Sequence, residues 1–428
     1  MAEVRPLRAL RYAPHLDMAL LISPPYDVIS PQQRERLAQR SLHNIVRLEL
    51  PQADDGDRYQ EAAKLFYEWQ SNGVLLQDGR PLYYVYRQTF THAGQTYQRL
   101  SIFAAVQLEP WESGVIRPHE RTLGPPKEDR LRLLRALGTN TSPVFGLYRD
   151  SAGQIAEILE AAVSKAPLLD FDDPDGQHHT LWRIDQRPQI EALHERFAGE
   201  TIYIADGHHR YETALTYLEE AKQLVHGWSS EDPENFVLMG LTAGSDPGLV
   251  LLPIHRLVQS AVSLEQAFEK LTGVFEIEPV NSLERMQALL RERGKLLPAI
   301  GMVAAESPDL YVLTCYGPAD LEPLLPPESP PQLRNLDTAV LQHAVLAHAL
   351  GISEDEIAAG EVVQYTEDAE EAVEAVRSGV YNYAFVMNPV RPAQVMDVAD
   401  TGQRLPQKST FFYPKLPTGL VLNPVASP

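Results

Sequence analysis

One stretch of this sequence gathers more chemically able side chains than any other: Thr201-Ile-Tyr-Ile-Ala-Asp-Gly-His-His-Arg-Tyr-Glu-Thr-Ala-Leu215. An apolar strand runs out at Asp206, Gly207 admits a tight turn with close backbone approach, and a helix opens at His208 or His209. A junction of strand, glycine and helix aims the first amides of the helix at whatever lies above them, which makes a cradle for an anion. Arg210 adds a guanidinium fork, and His208 and His209 add ring donors. Asp206 stands where a carboxylate could hold Mg²⁺ beside bound phosphates. The plainer alternative makes Asp206 a helix cap and one histidine a packing residue. Five polar or special residues in a row after an apolar strand favour a cleft.

Two further runs carry charge in loop-like sequence. Arg117-Pro-His-Glu-Arg-Thr122, followed by Pro125-Pro-Lys-Glu-Asp-Arg130, offers Glu120 as a general base toward a hydroxyl. It also offers Arg121, Lys127 and Arg130 as holders of phosphate or carboxylate. Residues 127–130 read equally well as the polar first turn of a helix. Near the C-terminus, Gly402-Gln-Arg-Leu-Pro-Gln-Lys-Ser-Thr-Phe-Phe-Tyr-Pro-Lys415 contains Lys408, a phosphate contact, but lacks the glycine spacing of a P-loop. Its aromatic trio Phe411-Phe412-Tyr413 reads as core anchors ahead of a cover for a base. Tyr26 and Asp27 after adjacent prolines, and Asp246 to Arg256 with His255 at a strand end, are explained nearly as well by structural turns.

The elements that must position these residues alternate in type. Ser30 followed by Pro31 predicts a helix to about Gln39, and Asp57 to Asn72 predicts an amphipathic helix burying Tyr59, Ala62, Phe66 and Trp69. Leu82 to Phe90 and Thr96 to Val106 predict a hairpin about residues 92–95, and Trp111 to Pro126 reads as a loop. Lys127 to Leu137 predicts a helix stopped by Gly138. Strands are expected over 144–148, 181–184, 201–205, 236–241 and 249–254, with helices over 154–165, 189–197 and 209–224. Beyond Ser260 the alternation continues, with a helix over 336–350 after the proline-rich connector Pro323 to Pro331. The pattern predicts an α+β, mixed α/β protein.

Composition narrows the function. The 428 residues carry 37 Lys+Arg against 58 Asp+Glu, a net charge of −21, with no basic stripe, which disfavours nucleic-acid binding. No run approaches about 18 uninterrupted apolar residues, and Met1 to Leu10 has no apolar signal core, so neither a membrane span nor a signal peptide is expected. A single cysteine, Cys315, excludes an internal disulfide and a multi-thiolate site, and its apolar run reads as a buried strand. A cytoplasmic location follows as the expectation, and a homo-oligomer is compatible with the sequence. GxGxxG, GxSxG and HExxH are all absent, which lowers the case for dinucleotide oxidoreductases, α/β-hydrolases and zincins.

With Pro24-Pro-Tyr-Asp-Val28, His119-Glu-Arg-Thr122, Pro126-Lys-Glu-Asp-Arg130, Ile204 to Leu215, Asp246-Pro-Gly248 and Pro406-Gln-Lys-Ser-Thr410 in view, the chain resembles the "domain of unknown function 1015" family over nearly its whole length. That resemblance implies no established activity. Locally, Asp206-Gly-His-His-Arg210 resembles the phosphate-binding motif of the ParB/sulfiredoxin superfamily, most closely its free-serine kinases. It implies a ParB/sulfiredoxin-like nucleotide-binding core with a further α/β C-terminal region. It also implies ATP or ADP with Mg²⁺ as cofactors, Gly207, His208, His209 and Arg210 as phosphate contacts, His209 also as a catalytic group, and Asp206 as metal or catalytic carboxylate. A histidine where sulfiredoxins need cysteine removes the reductase chemistry, and the acidic balance removes DNA partition.

The expectations are therefore a nucleotide/phosphate-binding region over 1–260 and a mixed α/β region over 261–428, its tail 402–420 packing back onto the site. The function expected is nucleotide-dependent phosphotransfer to a small hydroxylated metabolite, free L-serine first, with Glu120, Asp206 and His209 catalytic. The alternatives are a nucleotide-binding regulatory protein without turnover and a metal-dependent phosphatase using His119, His208, His209 and Asp206.

Overall fold

Helices begin where the sequence places their caps in the computed structural model, which describes residues 2–53, 56–120, 125–224 and 227–426. Ser30 accepts from Gln33 N at 3.2 Å and opens α1, Pro31–Arg40. Asp57 accepts from Tyr59 N at 2.9 Å and opens α2, Arg58–Ser71. Caps of this kind are worth about 1 kcal/mol each. All four residues expected on the inner face of α2 (Tyr59, Ala62, Phe66 and Trp69) are buried. Each large apolar side chain so buried contributes roughly 1.5–3 kcal/mol.

The chain divides into two compact units, Met1–Pro118 with Thr122–Val250 and Pro414–Pro428, and His119–Arg121 with Leu251–Tyr413. The first is organised by a nine-stranded sheet. Its strands are β1 Val4–Arg5, β2 Tyr83–His92, β3 Gln95–Gln107, β4 Ile116–Pro118, β5 Val144–Tyr148, β6 Leu169–Asp172, β7 His178–Ile184, β8 Ile202–Asp206 and β9 Phe236–Ala243. They lie in the order β4-β8-β5-β9-β3-β2-β7-β6, with β1 added to β3. β4 runs parallel to β8 and β5 parallel to β9, and the other neighbours are antiparallel. The predicted hairpin is β2–β3, turned by Ala93 and Gly94 at φ 48° and 76° as a twist-matched two-residue turn requires.

Three helices follow in α3 Pro125–Leu137, α4 Gln154–Val163 and α5 Arg187–Phe197, and a fourth, α6 His208–Leu224, leaves β8. Ile155 and Leu159 of α4, Leu193 and Phe197 of α5, and Tyr211 and Leu218 of α6 pack on Val85, Ile102, Ile204 and Met239 of the sheet. The segment expected to be loop from 111 to 126 departs from expectation at both ends. Ile116–Pro118 is an edge strand, because its backbone finds β8 to pair with, and α3 starts at Pro125. No local pattern announces a three-residue strand whose partner lies some 86 positions away, as Ile202 does from Ile116.

The second unit holds a six-stranded, wholly antiparallel sheet in the order Phe275–Val280, Leu310–Cys315, Ala299–Ala304, Tyr383–Val386, His255–Val258 and Val363–Thr366. Both faces are covered, so neighbouring strand residues serve different cores. Val258, Leu313 and Phe385 pack with helix Leu264–Leu271, while Leu257, Val312 and Ala384 pack with helices Leu283–Arg293 and Ala369–Arg377. Cys315 is buried in its strand, as expected. The helix expected over 336–350 is one α-turn, Asp337–Val340, continued as a wider π-helix, Leu341–Ala349. Helix Pro392–Asp400 was not anticipated from the sequence, and Phe412 is buried in the short strand Phe411–Tyr413. Each unit combines helices with largely antiparallel sheet, the α+β class that the alternation predicts. Among the described residues no helix is long and apolar enough to cross a membrane.

Candidate functional site

Strand β8 delivers Asp206 to the first-unit site through an irregularity. Its register against β5 slips between Ile204 and Asp206, a bulge that re-aims the strand's last carboxylate. Gly207 follows at φ +87°, the left-handed region where glycine carries no steric cost, and α6 begins at His208. Arg210 folds back over the turn, and a Cβ on Gly207 would lie 2.9 Å from its Nε, Cζ and Nη2. Glycine is thus required twice, by conformation and by contact.

The Arg210 fork is engaged by protein. Nη1 donates to Ser142 Oγ at 2.8 Å and to the Pro143 carbonyl, and Nη2 donates to Asp206 Oδ2 at 2.7 Å. The other Asp206 oxygen, Oδ1, accepts from Lys415 Nζ at 2.5 Å. Burial pushes the Asp206 carboxyl upward, but Lys415 and Arg210, followed by His208, outweigh it and hold the group well below the usual carboxylate range. Burial lowers Arg210, and Asp206, Asp27, Tyr26 and Glu49 more than offset that loss. His208 and His209 are half-buried in the first turn of α6.

Behind the turn lies a cavity of about 50 Å³ that joins three of the sequence runs. Tyr26, Arg130 and Arg210 all line it, with Glu49, Thr141 and Thr213. The Arg130 guanidinium stacks over the Tyr26 ring at 4.2 Å and pairs with buried Glu49 at 3.1 Å, and Glu49 also accepts from Thr141 Oγ1 at 2.5 Å. Arg210 Nε and Thr213 Oγ1, both enclosed, have no partner there. The rigid Pro24-Pro25 turn that presents Tyr26 is tied through Ser23 to Thr418, whose amide donates to the Ser23 carbonyl at 2.8 Å. Burial raises the Tyr26 phenol to about 12, against the opposing pull of Arg210 and Arg130.

A model of the family described as "Protein of unknown function (DUF1015)" matches residues 4–339. The chain belongs to that family. This DUF1015 member is also similar to three solved structures, each over 75% of its own length. One is a conserved hypothetical protein from Pyrococcus furiosus, at 14% identity over 95% of that chain, TM-score 0.34. Another is a free serine kinase in complex with AMP, at 14% identity over 92% of that chain, TM-score 0.34. The third is SbnI with a C-terminal truncation from Staphylococcus aureus, at 11% identity over 87% of that chain, TM-score 0.37. No curated protein matches the DUF1015 chain.

The remaining sequence candidates fall as follows. Lys127 is paired with Glu212 of α6, so its ammonium ties two helices together. Arg121 lies outside the described residues. Glu120 and Lys408 belong to the second unit, where Glu120 Oε1 accepts from the Lys408 backbone amide at 3.1 Å. It is the amide of Lys408, at φ 56°, and not its ammonium, that meets Glu120. His119 is buried and shares a 2.8 Å hydrogen bond with Thr410. His255, accepting from Met387 N at 3.1 Å, and Arg256, donating to two carbonyls, are structural. So is Asp246, whose carboxylate caps Leu100 and Gly248.

Sequence reasoning overlooked Glu49, Thr141, Ser142 and Lys415. Only Lys415 stood inside a run already singled out. Glu49 had one signal, an acid within the apolar stretch Ile45 to Leu50.

As its oxygens are paired here, Asp206 leaves no open donor for Mg²⁺. Each carboxylate oxygen already meets a cationic nitrogen, and among the described residues no group of three or more His, Cys, Asp or Glu could hold a metal.

Proposed function

We propose that this protein binds a nucleotide by its phosphates at the turn Asp206–Arg210 and uses it for phosphotransfer to a small hydroxylated metabolite, free L-serine being the first to test. The observation that carries the reading is a cluster of cations at the turn. In a chain of net charge −21, Arg130, Arg210 and Lys415 gather with a helix N-terminus beside Glu49, Asp129 and Asp206. Phosphoryl transfer depends on positioning and charge neutralisation, which such a cluster supplies. Lys415, paired to Asp206, is the built-in cation of the cluster.

Phosphorus NMR of the purified chain with ATP or ADP plus L-serine tests turnover. Phosphoserine growing at the expense of nucleotide supports the reading. Arg210→Ala should weaken nucleotide binding by about 1.5–3 kcal/mol, the range for hydrogen bonds to charged groups. Unchanged affinity in the folded variant overturns the phosphate turn. A nucleotide-gated regulator without turnover is the second reading, favoured by a carboxylate, Asp206, that is fully ion-paired and so a poor proton acceptor. It predicts binding with no product.

A further inference from the structure

The second unit holds a pocket of about 370 Å³ that the phosphate turn does not use. Its lining includes Arg404, three carboxylates (Glu328, Glu354 and Asp355), and Gln342 and His343 from the first turn of the π-helix. Among the described residues neither Arg404 nor any of the three carboxylates takes part in a salt bridge that would cancel it, although they line one cavity.

The frame around these groups is fixed. Leu405, next to Arg404, donates its amide to the His119 carbonyl at 2.8 Å and pairs with Glu120 as an isolated bridge. Gln342 Nε2 holds Glu354 Oε1 at 3.0 Å, which orients that carboxylate. The connector bearing Glu328 is anchored by Arg334 Nε on the Ser329 carbonyl at 2.7 Å. A π-helix is rare and frequent at functional sites, and here its wide first turn supplies one wall. Burial lowers the His343 imidazole below its ordinary value, so it offers a neutral donor and acceptor.

We propose that this pocket binds the zwitterion of an α-amino acid, its carboxylate on Arg404 and its ammonium on the Glu354 and Asp355 side. A lone amine would leave Arg404 unanswered, and a lone carboxylate would meet repulsion from three acids. A ligand carrying both charges answers both, which is electrostatic complementarity with rejection of the half-molecules. The volume sits at the lower end of the roughly 300–1,000 Å³ of small-molecule sites and is ample for one amino acid. A side-chain hydroxyl is not needed, so the site is wider in scope than the serine reading above and does not depend on nucleotide binding.

Titration calorimetry of the full chain with glycine, L-serine and L-leucine, against ethanolamine and glycolate, tests it. At least one amino acid binds, and each half-molecule binds about tenfold or more weakly, the effect of losing one charge-assisted contact. Arg404→Gln and the pair Glu354→Gln with Asp355→Asn each weaken the amino acid by about tenfold or more and leave nucleotide affinity unchanged. Absence of any amino-acid binding up to about 10 mM, equal binding of the half-molecules, or unaltered binding in both variants overturns the proposal. Amino-acid binding in a wild-type chain that takes no nucleotide overturns the nucleotide reading alone.

Discussion

Gly207→Ala separates the backbone part of the phosphate turn from its electrostatic part. Holding alanine at the φ of +87° seen here costs about 1–2 kcal/mol, of which about 0.5–1 returns through the stiffer unfolded chain. The new methyl carbon would meet the Arg210 guanidinium at 2.9 Å. That guanidinium cannot retreat freely, since Ser142, Pro143 and Asp206 all hold it. Giving up one charge-assisted bond there adds about 1.5–3 kcal/mol, for a net loss of about 2–4 kcal/mol. Urea unfolding followed by intrinsic fluorescence, with the slope compared between variants, reads the total. A double-mutant cycle with Arg210→Met isolates the contact: in the Arg210→Met background, Gly207→Ala should cost only the backbone share, below about 1.5 kcal/mol. Equal cost in both backgrounds, or a wild-type-like midpoint, refutes the packing of Arg210 on Gly207.

Lys415→Met removes one of the two cations paired with Asp206 and should destabilise the first unit by about 1–3 kcal/mol at pH 7. Because the folded carboxyl is depressed, its stabilisation is present above the ordinary carboxylate value and lost as pH falls toward the folded one. The variant should therefore lose less than wild type between pH 7 and acid, and parallel acid limbs would contradict the pairing. His255, buried neutral and pulled from 6.5 to about 4, costs stability as pH falls through that window, since only the unfolded chain takes up the proton. Wild type should lose about 3 kcal/mol there relative to His255→Asn, measured as the difference between their denaturation midpoints across pH. Gly248→Ala drives a methyl to 2.1 Å from the Gln98 carbonyl oxygen and should cost about 1–3 kcal/mol in the same melts, against no effect if that turn is loose. Chelation with EDTA should lower nucleotide affinity less than about tenfold, because Lys415 occupies the carboxylate a metal would need; loss beyond that, by calorimetry, argues for a metal in the binding step.

Local pattern carried much of this molecule. The cap residues Ser30 and Asp57, the inner face of α2, the β2–β3 hairpin and the junction of strand, glycine and helix at Asp206 are each written in a few consecutive residues, because caps, periodicity and turn chemistry act over less than about two helical turns. The residue types of the candidate site were legible for the same reason: Asp206, Gly207 and Arg210 announce themselves by what they would cost elsewhere. What they bind within the fold was not. That Arg210 turns inward to Ser142, that Glu49 meets Arg130 across 81 positions, and that Lys415 returns 209 positions later to take the second oxygen of Asp206 are matters of chain path. The edge strand Ile116–Pro118 and the π-helix 341–349 belong with them, one existing only because β8 offers its edge, the other reading as ordinary helix in sequence. Sequence alone determined which groups could carry charge to an anion. Tertiary structure decided which of them are already spent on one another, since ion pairing depends on distance in space and no spacing along the chain encodes it.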